Sequence, residues 1–280
     1  MIILFYPDPL DNYKRYSRVL RILENCEWVD FHNDPSKAYD LHIFWSYTRD
    51  RIEPPELTLK DKIVLNRGCW DISKKKVNKI FNDISIDPRT HKGIAVEKRE
   101  WQGGHKWHSI VKCPREPKPG YIYQRVINNR EDNYFVRYRI FLMGSVITHV
   151  NKRYETDRFK TSTVRVENIS PDKFFTNDEM IDILEKCQKF GIDFGELDVL
   201  IDNDKKIVID VNNMVGGKHP GILARSKPYK EIDQSFLEYL KKKIYNDILA
   251  QNRPYKEIDQ SILEYLKKTY NDNNRITGME

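Results

Sequence analysis

The segment Gly191–Gly217, GIDFGELDVLIDNDKKIVIDVNNMVGG, decides the fold. Alternate side chains of a strand share a face, so Glu196–Ile201 and Ile207–Asn212 pair as a hairpin turning at Asn203-Asp204-Lys205. The favoured register sets Leu197 against Val211, Val199 against Ile209 and Ile201 against Ile207, which makes one face wholly apolar. The other face sets Asp198 against Asp210 and Glu196 against Asn212. A one-residue slip would drive the carboxylates into the core, so the pattern specifies the register. Acids gathered on one sheet face repel each other unless a cation sits among them. An oxygen-only donor set of this density suits Mg²⁺, which takes one or two carboxylates together with nucleotide phosphates. The plain alternative is the wet polar face of an antiparallel sheet.

Upstream, Ser170-Pro171 opens a helix with Met180, Ile183, Leu184 and Cys187 on one side, and Gly191 closes it. Phe135–Met143 and Val146–Val150 flank Gly144-Ser145 and predict a second hairpin. Gly93–Glu97, Ser109–Cys113 and Tyr121–Ile127 predict an antiparallel, lid-like unit, with a loop containing Gly103-Gly104 inside it. Residues 1–70 alternate short apolar runs (Ile2–Tyr6, Trp28–Phe31, Tyr39–Trp45, Lys62–Leu65) with the helical spacing of Tyr13–Asn25. That order predicts a short open α/β layer. Ser73–Asp83 follows as a basic helix that ends before Asp87-Pro88. At the far end, Pro228–Lys242 recurs as Pro254–Lys268 with Phe236 replaced by Ile262, a duplicated helix of which at most one copy belongs to the core.

Composition narrows the class. Aromatic residues make up 12% of the 280-residue chain, which argues against disorder, and no apolar run is long enough to cross a membrane. The apolar start Met1–Tyr6 lacks a basic lead and meets Asp8 and Asp11, so it reads as a strand and not a signal peptide. Four scattered cysteines without a C-x-x-C pair point to a reducing, cytoplasmic setting. The net charge of +6 is too small and too dispersed to indicate nucleic acid by itself.

The order F-G-x-L-D, apolar run, turn, apolar run, D-V-N, then a glycine loop resembles the metal-binding end of the ATP-grasp superfamily. The likeness is greatest to carboxylate–amine ligases of the D-alanine–D-alanine ligase and ribosomal-protein glutamate ligase groups. The resemblance implies an α+β or α/β chain with the ATP-grasp fold, a short N-terminal open α/β layer and a C-terminal helical extension. It implies an N-terminal domain over 1–85, a lid with a phosphate flap over 86–127, a large subdomain with the metal site over 128–227, and the duplicated helical segment over 228–280. It also implies ATP and Mg²⁺ as cofactors, with Asp198, Asp210 and Asn212 as metal ligands. Lys98, Gly103 and Gly104 match the phosphate-binding strand end and flap. Lys75 or Lys76 matches a further phosphate lysine, the run of three lysines leaving the choice open.

Gln124, Arg125, Val126 and Ile127 match the hinge strand that touches adenine; the site best aligned with the family's ribose acid holds Arg137, a departure, with Glu131 or Asp132 as the fallback. Arg139, Arg153 and Lys160 match the basic groups that would hold a substrate carboxylate. The chemistry so implied is phosphorylation of a carboxylate to an acylphosphate, followed by attack of an amine to form an amide or peptide bond. Its substrates would be small-molecule or peptide acids and amines, and a homo-oligomer is compatible with the duplicated helix. Two other classes compete: a kinase on the same scaffold acting on a hydroxyl, and a non-catalytic nucleotide- or nucleic-acid-binding module built on the loop Trp101–Trp107.

Overall fold

A computed structural model describes residues 1–7, 18–24, 26, 29–45, 63–81, 84–100, 108–159, 162–213 and 234–243. The N-terminal layer holds strands β1 (Ile2–Pro7), β2 (Asp30–His32), β3 (Leu41–Trp45) and β4 (Ile63–Leu65), with helix α1 (Arg18–Glu24) between the first two. They pair in parallel in the order β2-β1-β3-β4. A parallel sheet covered on both faces needs apolar residues throughout, and all five residues of β3 are buried. Helix α2 (Lys74–Ile80) starts at Ser73, whose hydroxyl accepts from the Lys76 amide.

Strands β5 (Gly93–Arg99), β6 (His108–Cys113) and β7 (Tyr121–Arg125) form the expected antiparallel unit in the order β6-β5-β7. The main sheet then runs β11-β10-β9-β12-β13. It contains β9 (Tyr134–Met143), β10 (Val146–Glu155), β11 (Thr163–Ile169), β12 (Phe194–Asp202) and β13 (Lys205–Asn212), with the short β8 (Arg130–Glu131) against β9. The hairpin at Gly144-Ser145 forms as expected, but β10 continues through Lys152 and Arg153 and so carries them as strand residues.

Two expectations are corrected. The predicted single helix from Ser170 to Gly191 is two: α3 (Pro171–Phe174) and α4 (Asn177–Phe190). Thr176 and Glu179 form a reciprocal capping box that restarts the helix, and Gly191 in the left-handed region ends it. In the β12–β13 hairpin the register holds at Glu196/Asn212, Leu197/Val211 and Asp198/Asp210, then shifts at a bulge. Val199 pairs with Val208 instead of Ile209, and Leu200 pairs with Ile207. Val208 therefore enters the main core with Leu197, Val199 and Val211. Ile207 joins Ile84 and Ile127 in a separate small cluster, against which Leu200 and Ile209 pack.

A helix over 234–243 (α5) lies in the first copy of the repeat; the second copy lies outside the described residues. Phe236 and Leu240 are fully buried among Ile3, Phe5, Ile43 and Phe194. Tyr239 hydrogen-bonds Asp193 and lies so close to Gly144 that a Cβ there would fall 2.1 Å from its ring. The first copy is thus part of the core. No helix of the described residues is long and apolar enough to cross a membrane.

Candidate functional site

One face of the main sheet turns toward the β5–β7 unit, and between them lies an open cleft. Its apolar part is made by Ile84, Val96, Ile127, Leu200 and Ile209. The bulge explains Ile209, which it turns out of the main core in favour of Val208; Leu200 shares the face of Asp198 by simple alternation along β12. Its charged part is made by Lys74, Lys98, Arg137, Asp198 and Asp210.

Lys98 comes from the inner face of β5, two residues past Val96, and is 8% exposed. Burial pushes its ammonium down to about 8; the like charges of Lys74 and Arg137 add to this, while Asp210 and Asp198 oppose it. Three neighbouring lysines on α2 have three different positions. Lys74 is buried and lines the cleft. Lys75 is on the surface, 2.8 Å from Glu100. Lys76 turns the other way: its ammonium donates to the carbonyls of Gly68 and Phe190 at 2.5 and 3.0 Å, at the C-terminal end of α4 where carbonyls lack helical partners. The cleft-lining lysine of α2 is therefore Lys74 and neither of the two expected.

Asp198 and Asp210 face each other across β12–β13, and Asn212 lies two residues further along, opposite Glu196. The cation beside them is an arginine. Strand β9 pairs with β12 so that Arg139 is opposite Asp198. Its guanidinium donates to both Asp198 oxygens at 2.7 and 3.1 Å and to Glu196 at 2.7 Å. Arg137 stands 3.7 Å from Asp198 and donates to Glu155 at 2.9 Å. Although burial opposes it, the Arg139 and Arg137 charges hold the Asp198 carboxyl well below the usual carboxylate range. Asp210 has no ion pair among the described residues; its oxygen accepts from the Val211 amide at 3.2 Å.

On the same face, one strand further out, Arg153 is 3% exposed, and its Nε and one terminal nitrogen have no partner. Burial pushes its guanidinium down to about 10, with the like charge of Arg139 contributing. A buried, under-satisfied guanidinium is costly unless an anion meets it.

The remaining expected residues divide. Gln124 and Arg125 line the cleft, but the Gln124 amide donates to Asn78 and the Arg125 side chain pairs with Asp202. The backbone expected to read an adenine edge is partly engaged already: the Arg125 amide donates to the Ile84 carbonyl, and Ile127 O accepts from Arg158. Glu131 sits outside the cleft with Lys152 at 2.6 Å. Gly103, Gly104 and Lys160, and the loop Trp101–Trp107, lie outside the described residues. Sequence reasoning missed Lys74, Asn129, Arg158 and Phe159 as lining residues, and Arg137, at the position expected for the ribose acid, also lines the cleft.

The donor set can be tested against the two implied groups. An apolar slot beside buried cations fits a nucleotide's base and phosphates. No cluster of three or more His, Cys, Asp or Glu among the described residues would hold a metal unaided. Asp210, Asn212 and Asp198 suit a Mg²⁺ that also binds phosphate oxygens, since such an ion needs only one or two carboxylates.

No family model matches this chain, and no curated protein matches its sequence. Solved structures do. The D-alanine–D-alanine ligase of Bacillus anthracis is similar with a TM-score of 0.53 at 11% identity, over 89% of this chain and 98% of that one. The ATP-grasp ligase PsnB, complexed with minimal precursor, gives 0.54 at 10% identity, over 85% of this chain and 98% of that one. The same Bacillus anthracis ligase complexed with ATP gives 0.52 at 12% identity, over 88% and 98%. At these identities the likeness is one of fold, and the chain has an ATP-grasp-like fold.

Proposed function

We propose that the chain is an ATP-dependent carboxylate–amine ligase, forming an amide or peptide bond from an acid activated by phosphorylation. The reading is carried by one observation: buried Lys98 lines one cleft together with Asp198 and Asp210 and with the apolar Ile84, Ile127, Leu200 and Ile209. Cations opposite paired acids, beside hydrocarbon, are what a metal-bound nucleoside triphosphate requires. Lys98 and Lys74 would bind phosphate oxygens, and Lys98 must be protonated to do so. Asp210 and Asn212, with Asp198 beside them, would hold Mg²⁺, whose role is to neutralise charge on the phosphates. Ile84, Ile127, Leu200 and Ile209 would exclude water around the base.

Arg153 would bind the substrate carboxylate and orient it, because two of its guanidinium nitrogens are buried without a hydrogen-bond partner. Arg139, committed to Asp198 and Glu196, would position those acids and not touch substrate. Arg153 also favours ligation over hydroxyl phosphorylation, since a planar guanidinium suits a carboxylate. The four-part division into N-terminal layer, lid, large subdomain and helical extension belongs to the same proposal, as does a cytoplasmic setting.

The test is ADP release by the purified chain against pools of amino acids and dipeptides, with mass spectrometry of the products. An amide product supports ligation, a stable phosphoester shows a kinase, and ADP release that no acid stimulates removes the reading.

A further inference from the structure

The acids of the main sheet are not left to repel each other. Arg139 takes both oxygens of Asp198 in a fork and reaches Glu196 with its remaining nitrogen, all within 3.1 Å. Glu196 is 2% exposed and Asp198 4% exposed, so neither is neutralised by water. Glu196 is also the acid that the metal-binding pattern does not need, and it faces Asn212, while Asp198 faces Asp210. Arg139 thus has two carboxylates, one inside the candidate metal set and one beside it. Asp210, by contrast, has no ion pair among the described residues.

From this arrangement we propose that Arg139 is a tethered counter-cation that competes with the divalent ion for Asp198, and that Glu196 is the second carboxylate to which it withdraws. The inference rests on the metal reading of Asp198, Asp210 and Asn212 given above.

The chemistry is an exchange of partners. The fork takes one lone pair on each Asp198 oxygen and holds a positive charge against the carboxylate, so a divalent ion that takes both oxygens, or approaches from that side, has to displace it. Left alone, the displaced guanidinium would be a buried, unpaired charge, which is strongly unfavourable. Glu196 prevents that, because one hydrogen bond to it persists when those to Asp198 are lost. The pair therefore lowers divalent affinity without abolishing it, and keeps the site electrically compensated while no ion is present. The net effect is a metal site that favours a cation arriving with a ligand of its own, such as a phosphate chain.

The charge-balanced double variant Arg139→Gln/Glu196→Gln isolates the exchange, because it removes one positive and one negative charge together. Mn²⁺ titration of the full chain, followed by electron paramagnetic resonance with and without a non-hydrolysable adenine nucleotide, reads the outcome. The double variant should bind Mn²⁺ roughly tenfold more tightly than the unaltered chain, the scale set by charge-assisted hydrogen bonds that no longer have to break. Glu196→Gln alone should weaken Mn²⁺ binding, because Arg139 then has only Asp198. In an Asp198→Asn background the double change should give no gain. Equal or weaker affinity in the double variant, or a gain that survives Asp198→Asn, would overturn the assignment of Arg139 while leaving the metal site standing. Absence of Mn²⁺ binding in every form, with or without nucleotide, would remove the metal reading and this inference together. Thermal melting of each variant separates lost binding from lost fold.

Discussion

The two faces of the main sheet are made by the same strands and have opposite physics. On one side Tyr138, Ile140, Leu197 and Val199 are buried in hydrocarbon. On the other, their immediate neighbours are charged: Glu196 and Asp198 are buried, Arg137 and Arg139 are partly exposed, and the four are held by pairing. The first face holds the sheet to α3 and α4 through non-directional burial. The second contributes little net stability, because desolvation of ions offsets most of their attraction. Buried ions kept at such cost, next to a cleft and with Arg153 still under-satisfied, belong to binding more than to folding.

Variants on the two faces should therefore fail in different ways. The largest effect is expected from Asp210→Asn on the charged face, a loss of roughly a thousandfold in ATP-dependent turnover. Its urea midpoint should stay unchanged, because Asp210 has no ion pair to lose. A turnover near that of the unaltered chain would contradict the metal assignment. Leu197→Ala on the hydrocarbon face should do the reverse. It should cost about 3 kcal/mol in urea unfolding, as large-to-small changes in packed cores do, with little change in turnover per folded molecule.

His42 offers a third comparison, an ionisable group buried in the N-terminal layer with its Nε2 3.2 Å from the Tyr6 carbonyl oxygen. Burial pushes its imidazole down to about 4, so it stays neutral while the ions of the main sheet stay charged. The unfolded chain takes up this proton near pH 6.5 and the folded chain only near 4. Stability should thus be lost as pH falls through that window, on the order of 3 kcal/mol. Urea unfolding at pH 7 and at pH 4.5, compared with His42→Gln, checks the slope; parallel curves would show that burial does not set this proton. The smallest effect is expected from deleting residues 252–280, which leaves α5 intact. Its urea midpoint should match the full chain to within about 0.5 kcal/mol. A clear drop would show that the second copy contributes to the core.

How far each face could be read in the sequence follows from the same physics. The opposition of Asp198 to Asp210 was legible because polar and apolar residues alternate strictly around it. The bulge was not: Ile207, Val208 and Ile209 are all apolar, so sliding the register by one leaves the polarity pattern intact, and only packing selects Val208 for the core. The helix break was written in Thr176 and Glu179, a capping box overshadowed by the equally good start at Ser170-Pro171. Lys74 could have been found by helix phase, since it lies three residues before buried Val77 and shares its side of α2. The Arg139–Asp198 contact could not, because nothing local states that β9 lies beside β12.

The helix 234–243 supplies Phe236 and Leu240 to a core built mainly from β1, β3 and α1, with Phe141, Met143 and Phe194 of the main sheet. Synthesis runs from the N-terminus, so those first strands leave the ribosome long before their cover does. Nascent chains are therefore expected to carry uncovered hydrocarbon through most of translation, and any product terminated ahead of Phe236 should pass to chaperones and proteases.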